Sequence, residues 1–168
     1  MSKRVFVTNN WTAVAIANTT DLPDNQFMAL QGGGATQVIQ IAEIYMGGQA
    51  AASAALQMVL ARDAVVSATG TLAANSSDVF FRSSATPLNP PPVAYNQTSS
   101  AAQPQRSASA YLLALGFNAF GGVVKWTVPT DEGPSSIGNT APNGEISLSA
   151  NFATASALMN SHIIYEVL

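Results

Sequence analysis

The 168-residue chain has no cysteine, a single histidine and few charges, with six Lys/Arg and nine Asp/Glu making up 9% of its residues. Soluble domains usually carry about 25%. The missing cysteines exclude disulfide frameworks, thiolate zinc sites and cysteine nucleophiles. His162 alone leaves little material for histidine-based metal binding or proton transfer. The cations are dispersed at Lys3, Arg4, Arg62, Arg82, Arg106 and Lys125 under a net charge of −3. Nucleic-acid binding needs clustered cations to release counterions, so no nucleic-acid partner is expected.

Long apolar runs are also scarce. Lys3-Arg4 is followed by only Val5-Phe6-Val7 before Thr8-Asn9-Asn10, too little for the apolar segment of about 7 to 15 residues in a secretory signal. Synthesis in a cytoplasm is the expectation. The uncharged stretches 44–61 and 107–124 approach the roughly 18 residues of a membrane helix. Gly47, Gly48, Gln49, Ser53 and Gln57 interrupt the first, and Gly116, Asn118, Gly121 and Gly122 the second. Interrupted segments would leave backbone amides unpaired in lipid, so no membrane partner is expected.

What the chain does have is 48% apolar residues, enough at this length for one domain that buries roughly 70% of its unfolded surface. Sparse charge protects weakly against self-association. The chain therefore either works bound to neighbours or makes its surface polar with Ser, Thr, Asn and Gln.

Alternation marks strands, because successive side chains face opposite sides of a sheet. Ile146, Leu148, Ala150 and Phe152 alternate with Ser147, Ser149 and Asn151, which reads as a half-buried strand. Tyr111, Leu113, Leu115 and Phe117 alternate with Leu112, Ala114, Gly116 and Asn118, which reads as a strand covered on both faces. Val124, Trp126 and Val128 form a third stripe that Pro129 ends by removing a ladder donor. Ile163, Tyr165 and Val167 form the last. Residues 5–8, 12–17, 26–30, 38–46 and 56–62 are further strand candidates. Turn signals lie at 21–24, 32–34, 47–48, 121–122 and 129–144. Such spacing reads as an all-β sandwich or barrel. The alanines within 50–60 leave a short helix there as the alternative.

Residues 64–108 read as a long Pro/Ser/Ala-rich loop, with Pro90-Pro91-Pro92 at its centre. Phe80, Phe81 and Tyr95 are rings that a solvated linker would not need. They either anchor the loop on its own sandwich or make it an arm that packs on another subunit, for which stiff polyproline loses little entropy. Residues 1–10 read as an N-terminal arm, and 11–168 as the single sandwich domain.

The search for chemistry returns little. No nucleophile elbow, phosphate-binding loop or paired-histidine motif occurs. Gly32-Gly33-Gly34 lacks a following lysine and reads as a turn. The acids form no calcium-loop array. The chain is read as a non-enzyme with no metal and no cofactor. His162 reads as a surface or interface group, and Trp126 and Trp11 as core or corner residues, with Trp11 also a candidate contact. Glu43 and Arg62 are a candidate structural ion pair if their strands are neighbours.

The segments Ile41-Ala42-Glu43-Ile44-Tyr45-Met46-Gly47-Gly48, Met58-Val59-Leu60-Ala61-Arg62-Asp63, Pro104-Gln105-Arg106-Ser107 and Asn118-Ala119-Phe120-Gly121-Gly122-Val123-Val124-Lys125-Trp126, together with the ending Ile163-Ile164-Tyr165-Glu166-Val167-Leu168, resemble the decoration or cement proteins of tailed-bacteriophage heads. The resemblance runs from about Gln37 to Leu168. It implies a jelly-roll-like antiparallel β-sandwich, a homo-dimer or homo-trimer, and a virion protein on the outer capsid surface whose partner is the major capsid protein. It carries over no catalytic residue. The expected contacts with the capsid or sister subunits are Val5, Phe6, Val7, Trp11, Phe80, Phe81, Arg82, Pro90, Pro91, Pro92 and Tyr95. The alternatives are a β-sandwich receptor- or carbohydrate-binding module of a phage tail or fibre, using rings such as Trp11, Tyr95 and Trp126, and a shell-forming subunit.

Overall fold

The structure, a computed structural model, describes residues 4–15, 26–63, 78–79, 93–96, 106–129, 131–140, 144–151 and 158–168. These residues form eleven antiparallel β-strands in two sheets and no helix. They are β1 (Arg4–Ala15), β2 (Gln26–Gln31), β3 (Val38–Gly48), β4 (Ala55–Asp63), β5 (Asp78–Val79), β6 (Val93–Asn96), β7 (Arg106–Asn118), β8 (Val123–Thr127), β9 (Ser135–Ile137), β10 (Glu145–Asn151) and β11 (Leu158–Val167). One sheet has the order β5-β1-β11-β3-β8, with β9 also on β3; the other has the order β6-β2-β10-β4-β7.

The pairing is nested along the chain. Among the long strands β1 pairs with β11, β2 with β10, β3 with β8 and β4 with β7, so contacts of great sequence separation lie outside shorter ones. Both sheets contribute to one core. Ile39, Ile41, Ile44, Met46, Ile163 and Tyr165 come from the first sheet, and Met28, Leu30, Leu56, Met58, Leu60, Ile146 and Leu148 from the second. This is the arrangement of a β-sandwich, in which the inner faces interdigitate. Arg62 of β4 ties the sheets at one end by donating from Nε and Nη2 to the carbonyl of Ser135, the first residue of β9, at 3.2 and 2.9 Å.

Several expectations change. Residues 4–10 are not a free arm: they lie in β1, between β5 and β11, and Phe6 is buried. The alanines near 50 form no helix, because the chain bends at Ala51–Ala52 and enters β4, where pairing to both β10 and β7 outweighs alanine's propensity. Gly47 and Gly48 are not a turn but the last two residues of β3. The stretch 64–108 supplies β5 to the first sheet, β6 to the second and the start of β7. In β10, Ser147 and Glu145 are buried along with Ile146 and Leu148, so that strand is covered on both faces instead of one. The converse holds for β7: Leu113, Leu115 and Phe117 are half-buried while Ala114, Gly116 and Asn118 are exposed, because β7 ends its sheet. Among the described residues no helix is long and apolar enough to cross a membrane.

Candidate functional site

Two surface features stand out, and register explains both. On the first sheet, Ile44, Met46, Ser161 and Ile163 point into the sandwich, so Glu43, Tyr45, Gly47, Asn160, His162 and Ile164 point away from it. Successive register partners Asn9, His162, Tyr45 and Lys125 make one outward row across β1, β11, β3 and β8. The next outward row holds Asn160, Gly47 and Val123. Gly47 is the gap in that grid. With no side chain there, a depression of about 270 Å³ opens, lined by Asn9, Tyr45, Gly47, Val123, Asn160 and His162 among others. The Asn160 carboxamide leans over the gap, and a Cβ on Gly47 would lie 2.6 Å from its Oδ1.

A charged cluster forms one side of this depression. The Tyr45 hydroxyl donates to Glu43 Oε2, and Lys125 Nζ lies 3.4 Å from the same oxygen and 4.9 Å from the centre of the Tyr45 ring. The His162 ring stands at 84° to that of Tyr45, with centres 5.8 Å apart. The hydrogen bond from Tyr45 holds Glu43 below its ordinary pKa of 4.5, with Lys125 reinforcing it against partial burial. Hydrogen bonding to Tyr45, then the pairing with Glu43, raises Lys125 above its ordinary 10.5. Burial pushes His162 below 6.5, while the Glu43 carboxylate pulls the other way. The acid and the ammonium therefore engage each other, and the imidazole beside them is favoured in its neutral form.

The second feature is the side of the sandwich where β7 and β8 end their sheets. Among the described residues, the apolar side chains that pack on the core yet stay partly open are Leu112, Leu113, Leu115, Phe117, Val124 and Trp126, all on these two strands. Tyr111 (53% exposed) and Phe120 (58%) lie beside them. The connecting turn is stiff. Asn118 Oδ1 accepts from the backbone amides of Ala54 and Phe120, its Nδ2 donates to Ser53 Oγ, and Gly121 takes a left-handed φ of 68°.

The residues expected to make contacts do not gather. Phe6 faces inward and stacks on Tyr165; Val7 is buried and Val5 half-buried. Trp11 lies in β1 where its register with β11 shifts, and Tyr95 in β6 opposite Ala29. Phe80, Phe81, Arg82, Pro90, Pro91 and Pro92 lie outside the described residues. Glu43 and Arg62 do not pair, since they belong to different sheets; Lys125 takes Glu43 and the Ser135 carbonyl takes Arg62. Among the described residues no group of three or more acidic or histidine side chains is placed to hold a metal. Sequence reasoning missed the depression because its residues come from four strands, and only the recurrence of Asn, Tyr and His within strand patterns hinted at polar groups on an outer face. No family model matches the chain, and no curated relative does either.

Proposed function

We propose that the chain is a structural, non-catalytic virion protein: a jelly-roll-like sandwich that binds the outer surface of an icosahedral phage capsid as a decoration or cement protein, with the major capsid protein and copies of itself as partners. The observation that carries this reading is the open apolar side formed by β7 and β8. β7 runs for 13 residues, carries no charge from Ser107 to Asn118 and ends its sheet. Soluble monomers usually blunt such edges with charge, proline or a covering element, because an exposed ladder invites another strand. On a shell the same edge is an asset. A neighbouring subunit can add to the ladder while side-chain pockets supply selectivity, and repetition over a symmetric lattice multiplies a modest contact.

The nested pairing, first long strand with last and second with next to last, is what a single long antiparallel hairpin gives when wound into two Greek keys. That supports the jelly-roll form. Binding only to correctly assembled capsomers would stabilise the shell by linkage, at about 25 cal/mol per Å² of apolar surface buried.

The test is binding of the purified protein to capsids that lack it, followed by cosedimentation and electron microscopy. Saturable occupancy is expected, with loss in Tyr111→Asp and Phe120→Asp, whose exposed positions leave the fold intact. Absence of binding to bare shells, or assembly of closed particles by the protein alone, would refute the reading.

A further inference from the structure

We propose that the depression around Gly47, on the outer face of β1, β11, β3 and β8, is a binding site for a single neutral pyranose. The inference is independent of the capsid reading and uses none of the rings on the β7–β8 edge. Three properties of the depression define its ligand.

Size comes first. About 270 Å³ lies just below the range of roughly 300–1,000 Å³ that holds drug-sized molecules, so the occupant is one small ring. Polarity comes second. The hydrogen-bonding side chains that reach the depression are the Asn160 carboxamide and the His162 imidazole, whereas Asn9 Oδ1 and Ser161 Oγ are buried beneath it and the Tyr45 hydroxyl is given to Glu43. A carboxamide offers donor and acceptor side by side, and a neutral imidazole offers one of each. Vicinal hydroxyls, each of them both donor and acceptor, are the complementary pattern.

Charge comes third. Lys125 is the cation of the cluster, and its ammonium is held by Glu43 and the Tyr45 ring, which leaves no free positive charge to select phosphate, sulfate or a uronic acid. Apolar surface comes from the Tyr45 ring, the Gly47 Cα and Val123, which is 78% exposed at the rim. A pyranose presents C–H groups on one face and hydroxyls at its edge, and so can use both kinds of wall.

The experiment is an amide chemical-shift titration of the ¹⁵N-labelled full chain with glucose, galactose, mannose, N-acetylglucosamine and rhamnose, each to about 50 mM. At least one sugar is expected to shift Gly47, Val123, Asn160 and His162 saturably, with a dissociation constant of roughly 1–10 mM for its approximately 11 to 15 non-hydrogen atoms. Asn160→Ala and Val123→Trp should each weaken that binding about tenfold or more, whereas Ile137→Ser, at an exposed position outside the depression, should leave it within about twofold. If Asn160→Ala fails to fold, Val123→Trp decides alone, being a change at an exposed position. The proposal is overturned if no sugar gives saturable shifts, if the shifts lie elsewhere, if Val123→Trp leaves binding intact, or if cyclohexanol binds as tightly as the best sugar. Shell binding by Val123→Trp is a separate readout, so either reading can fail without the other.

Discussion

Phe6 and Tyr165, near opposite ends of the chain, stack in the core with ring centres 5.6 Å apart and planes at 19°. They are also register partners of β1 and β11, so the first strand is locked to the last through backbone and side chains together. Replacing either ring by Ala should cost about 3–5 kcal/mol, with a pairwise coupling of about 0.5–1.5 kcal/mol in a double-mutant cycle. Urea unfolding of the two single variants and the double variant measures both. A direct consequence concerns truncation. Deleting residues 1–10 removes most of the β1–β11 ladder and should unfold the protein, so capsid occupancy of that variant says nothing about an arm.

Acid should destabilise the protein first through His162. Its folded pKa lies below the ordinary 6.5, so between the two values the unfolded chain binds more protons, and stability falls as pH drops below 6.5. The groups facing the imidazole are Glu43 and Tyr45 from β3, Lys125 from β8 and neutral Asn9 from β1; Glu43 opposes the shift without reversing it. Glu43, also lowered, adds a loss of the same sign as pH falls below 4.5. Stability measured against pH should therefore decline less steeply below 6.5 in His162→Gln than in the natural chain. Equal slopes would refute the assignment.

The turn between β7 and β8 should depend on one amide. Asn118 satisfies two backbone donors and one hydroxyl, at 3.1, 2.9 and 2.8 Å. Asn118→Ala should cost about 1–2 kcal/mol, because its exposed position lets water replace part of what is lost. Hydrogen exchange at the amides of Ala54 and Phe120 should quicken, and should do so more than exchange at core amides such as that of Ile44.

Much of this architecture was legible in the alternation of apolar residues. The stripes at 38–46, 124–128 and 163–167 became β3, β8 and β11 with their apolar residues inward. Alternation reports one strand at a time, however, and does not say which strand lies beside which. That is why β7, apolar on both faces, reads as a strand covered on both faces and yet ends its sheet, and why Ser147, polar in pattern, is buried. It is also why Glu43 and Arg62 stood as a pair although the sandwich puts them on different sheets. The depression was the least legible feature. Asn9, Tyr45, Val123, Asn160 and His162 converge only through register between distant strands, and the gap they surround is a glycine that reads in isolation as a turn.

Gly47 and Gly48 are neighbours in β3 that should respond unequally to the same substitution. Gly47 faces outward, and the atom a Cβ would meet is Asn160 Oδ1, the end of a side chain that can rotate away. Gly48 faces the other side, and there a Cβ would run into the backbone of Ala119, which is itself fixed by the bonds from Ala50 N to Ala119 O at 2.9 Å and from Ala119 N to Ala54 O at 2.8 Å. Gly47→Ala should therefore change stability by less than about 1 kcal/mol, the steric cost being offset by the lower backbone entropy of alanine in the unfolded chain. Gly48→Ala forces strand and turn apart and should cost about 1–3 kcal/mol or more, as overpacking against immobile atoms does. Chemical denaturation separates the two. The same pair bears on the depression, because Gly47→Ala moves Asn160 off its wall while the fold survives: occupancy of the cavity by a sugar should drop in a protein whose unfolding midpoint has scarcely moved. If both alanine variants proved equally stable, the close approach of Gly48 to Ala119 would not be the constraint that shapes this end of the sheet.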